Sequence, residues 1–301
     1  MNKVILANFA AAISSISAGI SIVATRLIIY ETNPISLAFF RYFIAATCLL
    51  PILYLGLRKK KISPNHILPI IILGALLYSL FPWGFSASLK YTTAAYGAIA
   101  LATMPIFTLI IACIFQKEVL TKPKIFGVGL AFFGVTIAVN VSWSGRVLSE
   151  DDLLGISLML AAGVCAAIYS TFSKSLILIY GPIFFAAMSI TIGMLLLSPI
   201  AYTVDTFSSL PKFSDVAWIS LIFLGVIGGA LQFTAYTWAL VWLTPTRTAI
   251  YLTLTPISAI ILAYILLNEK ITPEALTGLV FVLTAIFLLN IAREKNNTQL
   301  H

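Results

Sequence analysis

Residues 101–139 read LATMPIFTLIIACIFQKEVLTKPKIFGVGLAFFGVTIAV, and residues 252–290 read LTLTPISAIILAYILLNEKITPEALTGLVFVLTAIFLLN. Aligned without gaps, the two stretches match at positions that include Pro105 with Pro256, Glu118 with Glu269, and Gly127 with Gly278. A slightly different offset aligns three earlier pairs: Arg26 with Lys174, Pro34 with Pro182, and Pro51 with Pro199. Because the pairs keep the same order in both halves, we interpret the chain as an internal duplication.

The amino-acid composition indicates that most of the chain is surrounded by lipid. Of 301 residues, 60% are hydrophobic and 9% are charged, and the mean hydropathy is +1.05. A soluble chain is about 45–50% apolar and about 25% charged. Too few polar groups remain to cover a water-facing surface, and in lipid a spanning segment satisfies its backbone hydrogen bonds as a helix. We therefore predict an all-α integral membrane protein.

Apolar runs and turn residues predict ten transmembrane helices, near residues 4–29, 35–57, 67–89, 93–115, 122–140, 154–174, 182–203, 215–238, 246–267 and 274–292. The first repeat then covers residues 1–140, the second covers residues 154–292, and residues 293–301 form a tail. Five helices per repeat is an odd number, so the second repeat must be inverted relative to the first. Inverted repeats that meet near the midplane are a recurrent design of secondary transporters.

Lysine and arginine predict the orientation. With the N-terminus inside, eleven of them fall on the cytoplasmic side and five on the outer side, and the loop sequence Glu150-Asp151-Asp152 lies outside. The positive-inside rule then places both termini in the cytoplasm. Short loops favour a bacterial cytoplasmic (inner) membrane. The net charge of +8 is explained by topology, and without a basic stripe carrying interleaved aromatics we expect no nucleic-acid partner.

Several features together resemble the ten-helix EamA-type carriers of the drug/metabolite transporter superfamily. They are Ala24-Thr25-Arg26, Phe40-Arg41-Tyr42, and the repeated order of helix proline, helix-end glutamate and following glycine. The resemblance implies a substrate cavity lined by helices 1, 3, 4, 6, 8 and 9 and an alternating-access cycle. It also implies export of amino acids, other metabolites or drugs. Arg247 departs from the family, which more often has a small or apolar residue there.

Polar and aromatic stripes supply the candidate substrate-binding residues. Such side chains should point away from lipid, because an unpaired polar group in hydrocarbon costs several kcal/mol. The candidates are Tyr78, Trp83, Tyr96, Thr103, Tyr169, Gln232, Tyr236, Trp238, Arg247, Tyr251 and Thr255, and Ser14, Ser17, Ser21 and Thr25 form a stripe on helix 1. Two other interpretations stay open: helix contacts for serine and threonine, and membrane-interface anchors for tryptophan and tyrosine.

Prolines and internal charges complete the candidate set. Pro105 and Pro256 predict either hinges beside the substrate or ordinary packing kinks. Arg247 could bind a substrate anion or extend its charge to the headgroups as an anchor. For Arg26 and Arg41, which lie within or near apolar runs, we expect structural pairing, with Glu31 as the ion partner of one.

These observations favour a secondary transporter, an exporter of a small organic metabolite such as an amino acid, with a broad drug exporter as the alternative. The sequence has no clustered catalytic residues of the kind an enzyme needs, and no charged ring or carbonyl filter of the kind a channel needs. We also predict no cofactor or metal site, because the three cysteines lie at unrelated spacings and are interpreted as core residues. Helix centres lack Asp, Glu and His, so proton coupling would depend on Glu31, Glu118 or Glu269, and we favour facilitated or exchange transport. The partners are the bilayer and a small-molecule substrate; the oligomeric state stays open.

Overall fold

The computed structural model describes residues 3–92, 97, 100–138, 149–204, 206, 212–267, 277–278, 280–285 and 287–288, and these contain no β-strand. Nine helices can be followed there: α1 (Lys3–Ile28), α2 (Pro34–Lys59), α3 (Pro64–Tyr91), α4 (Ala100–Ile114), α5 (Lys122–Ala138), α6 (Glu150–Tyr180), α7 (Pro182–Thr203), α8 (Asp215–Trp242) and α9 (245–267). Residues 277–278, 280–285 and 287–288 are also helical. Within these residues, α1, α2, α3, α6, α7 and α8 are long and apolar enough to cross a membrane.

Proline marks the beginning of several helices. Its fixed φ suits the first helical turn, where a backbone N–H has no partner to lose. The first residues of α2, α3, α7 and α9 are Pro34, Pro64, Pro182 and Pro245. These prolines explain why the sequence predicts these starts to within a few residues.

Helix α6 is longer than predicted at both ends. The acidic run Glu150-Asp151-Asp152, predicted as an outer loop, is its first turn, because the Ser149 side chain accepts from the Asp152 backbone N–H in a capping box. Acidic side chains are stabilised there by the positive end of the helix dipole. At the other end the helix passes Lys174 and continues to Tyr180, and Gly181 ends it with φ 84°.

A widened turn interrupts α3 and α8 at equivalent places. Residues Leu76–Leu80 of α3 and Val226–Leu231 of α8 are π-helical. Single π turns inside α-helices shift the register of the following side chains and occur frequently at functional sites. The two turns lie about 150 residues apart, close to the offset that aligns Pro105 with Pro256.

Packing between the two halves is reciprocal. The third helix of each half packs against the first helix of the other, as α3 against α6 and α8 against α1. The fourth helices do the same, as α4 against α6 and α9 against α1, and the second helices α2 and α7 pack against each other. The contacts therefore follow an approximate twofold relation between the halves.

The second helices run in opposite directions. Near the start of α2, the Ser36 hydroxyl donates to Thr206 Oγ1, just beyond the end of α7, at 2.8 Å. Near the end of α2, a Cβ placed on Gly56 would lie 2.0 Å from the ring of Phe184, at the start of α7. Helices α2 and α7 are therefore antiparallel.

The first helices are also antiparallel. Arg26, near the end of α1, donates to Thr92 O at 3.0 Å, and the Thr92 hydroxyl donates to Asp152 at the start of α6 at 3.0 Å. At the other side, the start of α1 and the later part of α6 both meet the end of α8. There the Lys3 ammonium lies 4.9 Å from the centre of the Trp242 ring, and Lys174 donates to Leu243 O at 2.6 Å.

Candidate functional site

A buried cavity lies where the two halves meet. Its lining comes from α1, α3, α4, α6, α8 and α9, with one residue from α2: Ser14, Ala18, Ser21, Arg41, Leu77, Phe81, Phe85, Leu101, Met104, Ala166, Gln232, Phe233, Tyr236 and Leu252. About 40 Å³ of it can hold the centres of water-sized spheres, and roughly 10–15 Å³ of such space suffices for one water. In this conformation the cavity therefore has space for only a few waters, and a larger solute needs the helices to part.

Polar side chains of both halves meet at this cavity. Ser21 on α1 donates to Ser17 O at 2.8 Å, and its hydroxyl lies 3.5 Å from Gln232 Oε1 on α8. One turn beyond Gln232, the Tyr236 hydroxyl shares a hydrogen bond with Ser170 of α6. The predicted stripe of Gln232 and Tyr236 thus faces the cavity, as does part of the predicted serine stripe of α1.

The strongest charge in the cavity wall is Arg41 on α2, which is 4% exposed. Its guanidinium donates to Gly228 O in the π turn of α8, and its carbon lies 5.6 Å from the Tyr42 ring and 5.9 Å from the Phe233 ring. A charged arginine within a membrane helix is costly unless it finds polar partners. The Gly228 carbonyl and the two rings are partners of this kind, while Arg41 Nε is buried without a hydrogen-bond partner.

An aromatic cluster packs against the cavity wall on the side that faces away from the cavity. The ring of Tyr78 on α3 lies edge-on to those of Tyr42, Tyr169 and Phe233, with centres 5.1–5.7 Å apart. The hydroxyls of Tyr78 and Tyr169 are 3.4 Å apart, and both residues are fully buried. Phe233 is the member of this cluster that also lines the cavity. Two predicted binding residues, Tyr78 and Tyr169, therefore pack one layer behind its wall.

The remaining predicted binding residues lie elsewhere. Trp83 is 38% exposed and lines a separate depression with Asn33 and Lys90. Trp238 and Tyr251 pack in a second apolar cluster around Leu243.

Two other candidates donate to backbone carbonyls: Thr103 to Ala100 O at 2.6 Å and Thr255 to Ser15 O at 3.1 Å. Arg247 is buried in the first turn of α9, where its backbone N–H donates to Thr244 Oγ1 at 3.4 Å. Tyr96 lies outside the residues that the structure describes.

Both predicted hinge prolines follow an irregular turn. In α4 a turn at Thr103 precedes Pro105, and the regular helix is Met104–Ile114. In α9 a 3₁₀ turn, Tyr251–Thr253, separates Pro245–Ile250 from Leu254–Leu267, which contains Pro256. A proline leaves the carbonyl four residues earlier without its helical donor. Those residues, Leu101 and Leu252, both line the cavity.

The expected pairing of Glu31 with Arg26 or Arg41 is wrong. Glu31 accepts from the Ser214 backbone N–H at 2.8 Å and from its hydroxyl at 2.7 Å, which together hold the pKa of this carboxyl below its usual value. Arg26 donates to Leu89 O and Thr92 O, both at 3.0 Å, and so binds the end of α3. Arg26 is structural as predicted, whereas Arg41 faces the cavity, a role that sequence reasoning missed.

Glu118 joins α4 to the start of α9. Its carboxylate accepts from Lys124 at 2.7 Å and from the Thr246 backbone N–H at 2.8 Å, and the side chain is nearly buried. A carboxylate at a helix N-terminus is stabilised by the free N–H groups there. Among the described residues, no group of three His, Cys, Asp or Glu side chains is placed to hold a metal.

Comparisons with known proteins identify the family. The sequence profile of the EamA-like transporter family matches residues 5–140 and again residues 153–291. The chain belongs to this family. It is therefore a multi-pass membrane transporter and not an enzyme.

Named relatives agree with this assignment. An "Uncharacterized transporter" of Archaeoglobus fulgidus is 28% identical over 272 residues, 90% of this chain and 94% of the relative. The "Uncharacterized transporter YoaV" of Bacillus subtilis is 22% identical over 90% of this chain and 91% of its own length. A "Probable terminal-alkyne amino-acid exporter" of Streptantibioticus cattleyicolor is 25% identical over 78% of this chain and 76% of its own length.

A solved structure has the same fold. It superimposes with a TM-score of 0.74 over 96% of this chain and 97% of its own length, at 14% sequence identity. At this identity the likeness describes the fold alone.

Proposed function

We propose that this EamA-family transporter is a secondary carrier that exports a small organic metabolite, such as an amino acid, by alternating access. The observation that carries this proposal is the buried cavity to which both halves contribute polar side chains, including Ser21, Arg41 and Gln232. Binding pockets combine apolar walls with a few placed polar groups, and this cavity has both.

The inverted arrangement supports the alternating-access part of the proposal. Equivalent helices α1 and α6, and α2 and α7, run antiparallel, and the family profile matches twice. Two equivalent halves of opposite direction supply inward-open and outward-open states of similar energy. The complete arrangement is ten helices, as repeats 1–140 and 154–292, in the bacterial inner membrane with both termini cytoplasmic.

The choice of an amino acid or a similar solute rests on the charge and the polar groups of the cavity lining. The related protein of Streptantibioticus cattleyicolor, named as an exporter of an amino acid with a terminal alkyne, gives a precedent for a small amphipathic cargo. A broad drug exporter is favoured by the aromatic wall of Phe81, Phe85 and Phe233. The positive charge of Arg41 disfavours the cationic compounds that such exporters carry.

The two described carboxylates that could couple transport to protons have structural partners. Glu118 binds Lys124 and the start of α9, and Glu31 binds Ser214. The third, Glu269, lies outside the described residues. We therefore favour facilitated or exchange transport over proton antiport.

A reconstituted-vesicle screen tests this function. Purified protein in liposomes is assayed for uptake and counterflow of amino acids, organic anions and cationic dyes, with and without a pH gradient, against protein-free liposomes. We expect saturable counterflow of an amino acid or organic anion that needs no pH gradient. Transport confined to cationic dyes would replace the proposal with the drug-exporter alternative, and non-saturable flux would indicate a channel.

A further inference from the structure

The cavity wall contains one cationic side chain, Arg41, among the lining residues that the structure describes. We propose that its guanidinium binds the carboxylate of the transported solute. The substrate is then a small monocarboxylate with an apolar body, amino acids included. This inference rests on the proposed transport function and adds the chemical class of the cargo.

The guanidinium of Arg41 has N–H donors that form no hydrogen bond in the structure. Arginine carries five N–H donors in a planar fork that matches a carboxylate. Among the described residues, Arg41 uses one nitrogen, Nη2, for Gly228 O, while its Nε is buried without a hydrogen-bond partner, and no described Asp or Glu forms an ion pair with it. A buried, hydrogen-bonded arginine without a counterion is ready to bind an anion that enters the cavity.

The bond to Gly228 positions the guanidinium. Gly228 lies in the π turn of α8, and a Cβ added there would lie 3.4 Å from Nη2 and 2.4 Å from Ser21 Oγ. The glycine therefore lets the backbone of α8 come close to Arg41 and Ser21 together. This contact uses one N–H of Nη2 and leaves Nε without a hydrogen-bond partner.

The remaining lining selects the rest of the ligand. Gln232 and Ser21 offer hydrogen-bonding groups near the charge, and Phe81, Phe85, Met104 and Leu252 present apolar surface. One positive charge balances one carboxylate, and an acceptor such as Gln232 Oε1 is present in the lining for the ammonium of an amino acid. The second negative charge of a phosphate dianion has no second cation among the described lining residues and is costly in a medium of low dielectric constant. An amine without a carboxylate would be repelled by Arg41.

Binding to purified protein tests this inference. The probes are L-leucine, L-phenylalanine and 3-phenylpropionate, the corresponding amines 3-methylbutylamine and 2-phenylethylamine, and phenyl phosphate. We expect wild-type protein to bind at least one carboxylate and to prefer it over its amine. A hydrogen-bonded charge contact contributes enough that Arg41→Met should weaken this binding about 10- to 100-fold, with Arg41→Lys between the two. The control is Arg58→Met, because Arg58 is exposed at the end of the same helix, where it lies 4.4 Å from the Tyr54 ring.

Several results would overturn the inference: carboxylate binding unchanged in Arg41→Met, a wild-type preference for the amines or for phenyl phosphate, or no binding of any carboxylate. Each would leave the proposed export of a small metabolite to be decided separately, by solute flux in the vesicle screen. If Arg41→Met does not yield folded protein, two measurements still decide whether Arg41 binds the carboxylate: the wild-type preference for carboxylate over amine, and the affinity of Arg41→Lys for the carboxylate.

Discussion

At the scale of single residues, Gly228 brings the backbone of α8 close to Ser21 of α1. A Cβ at this position would lie 2.4 Å from Ser21 Oγ, closer than any real side chain allows. The same residue offers the carbonyl that Arg41 binds. Packing of the two halves and orientation of the buried charge therefore depend on the same glycine.

Gly228→Ala should reduce both stability and transport. Overpacking a buried contact costs about 1–3 kcal/mol, and the displaced α8 would change the position of Arg41. The melting temperature in detergent and counterflow in liposomes measure the two effects. Gly129→Ala on α5 is the matched control, since a Cβ there meets nothing within 4 Å, and alanine favours a helix by about 0.5–1 kcal/mol. Wild-type flux and stability in Gly228→Ala would contradict this role.

The sequence could predict part of this site. Helical spacing predicts that Gln232 and Tyr236 share a face, and both line the cavity. Arg41 could not be assigned in this way, because an arginine in an apolar run looks the same whether it pairs with a loop carboxylate or faces a cavity. Its direction depends on the π turn of α8, a local geometry that no residue pattern in the chain indicated.

At the scale of helices, the irregular turns before Pro105 and Pro256 lie beside the cavity. The carbonyls of Leu101 and Leu252 lose their helical donors where the cavity begins. A helix that is already interrupted can bend there at lower cost than a continuous one. The internal duplication predicts these two prolines as a pair. The prediction for the start of α6 is wrong, because an acidic run is typical of a loop and its role as a first helical turn depends on the cap at Ser149.

Pro256→Ala should slow the transport cycle more than it weakens substrate binding. Alanine restores the N–H and allows the helix to close, which opposes bending at 251–253. Turnover in counterflow and affinity by direct binding separate the two effects. Pro199→Ala is the control, because Pro199 is also inside a helix but is exposed on α7 and does not line the cavity. A loss of affinity with unchanged turnover would count against a hinge.

At the scale of the whole molecule, the two halves repeat the same contacts in opposite directions. Arg26 donates to the end of α3, and Lys174, its partner in the sequence alignment, donates to the end of α8. The internal repeat and the odd helix number predict this inversion from sequence alone. The small volume of the cavity could not be predicted, because it depends on how closely the helices approach one another.

Cysteine labelling from each side of the membrane tests the antiparallel arrangement most directly. Lys59 and Thr203 are the exposed last residues of the equivalent helices α2 and α7. In a background with Cys48, Cys113 and Cys165 replaced by serine, a membrane-impermeant maleimide should label Lys59→Cys only from the cytoplasmic side and Thr203→Cys only from the outer side. Labelling of both positions from the same side would contradict the inverted arrangement on which alternating access depends.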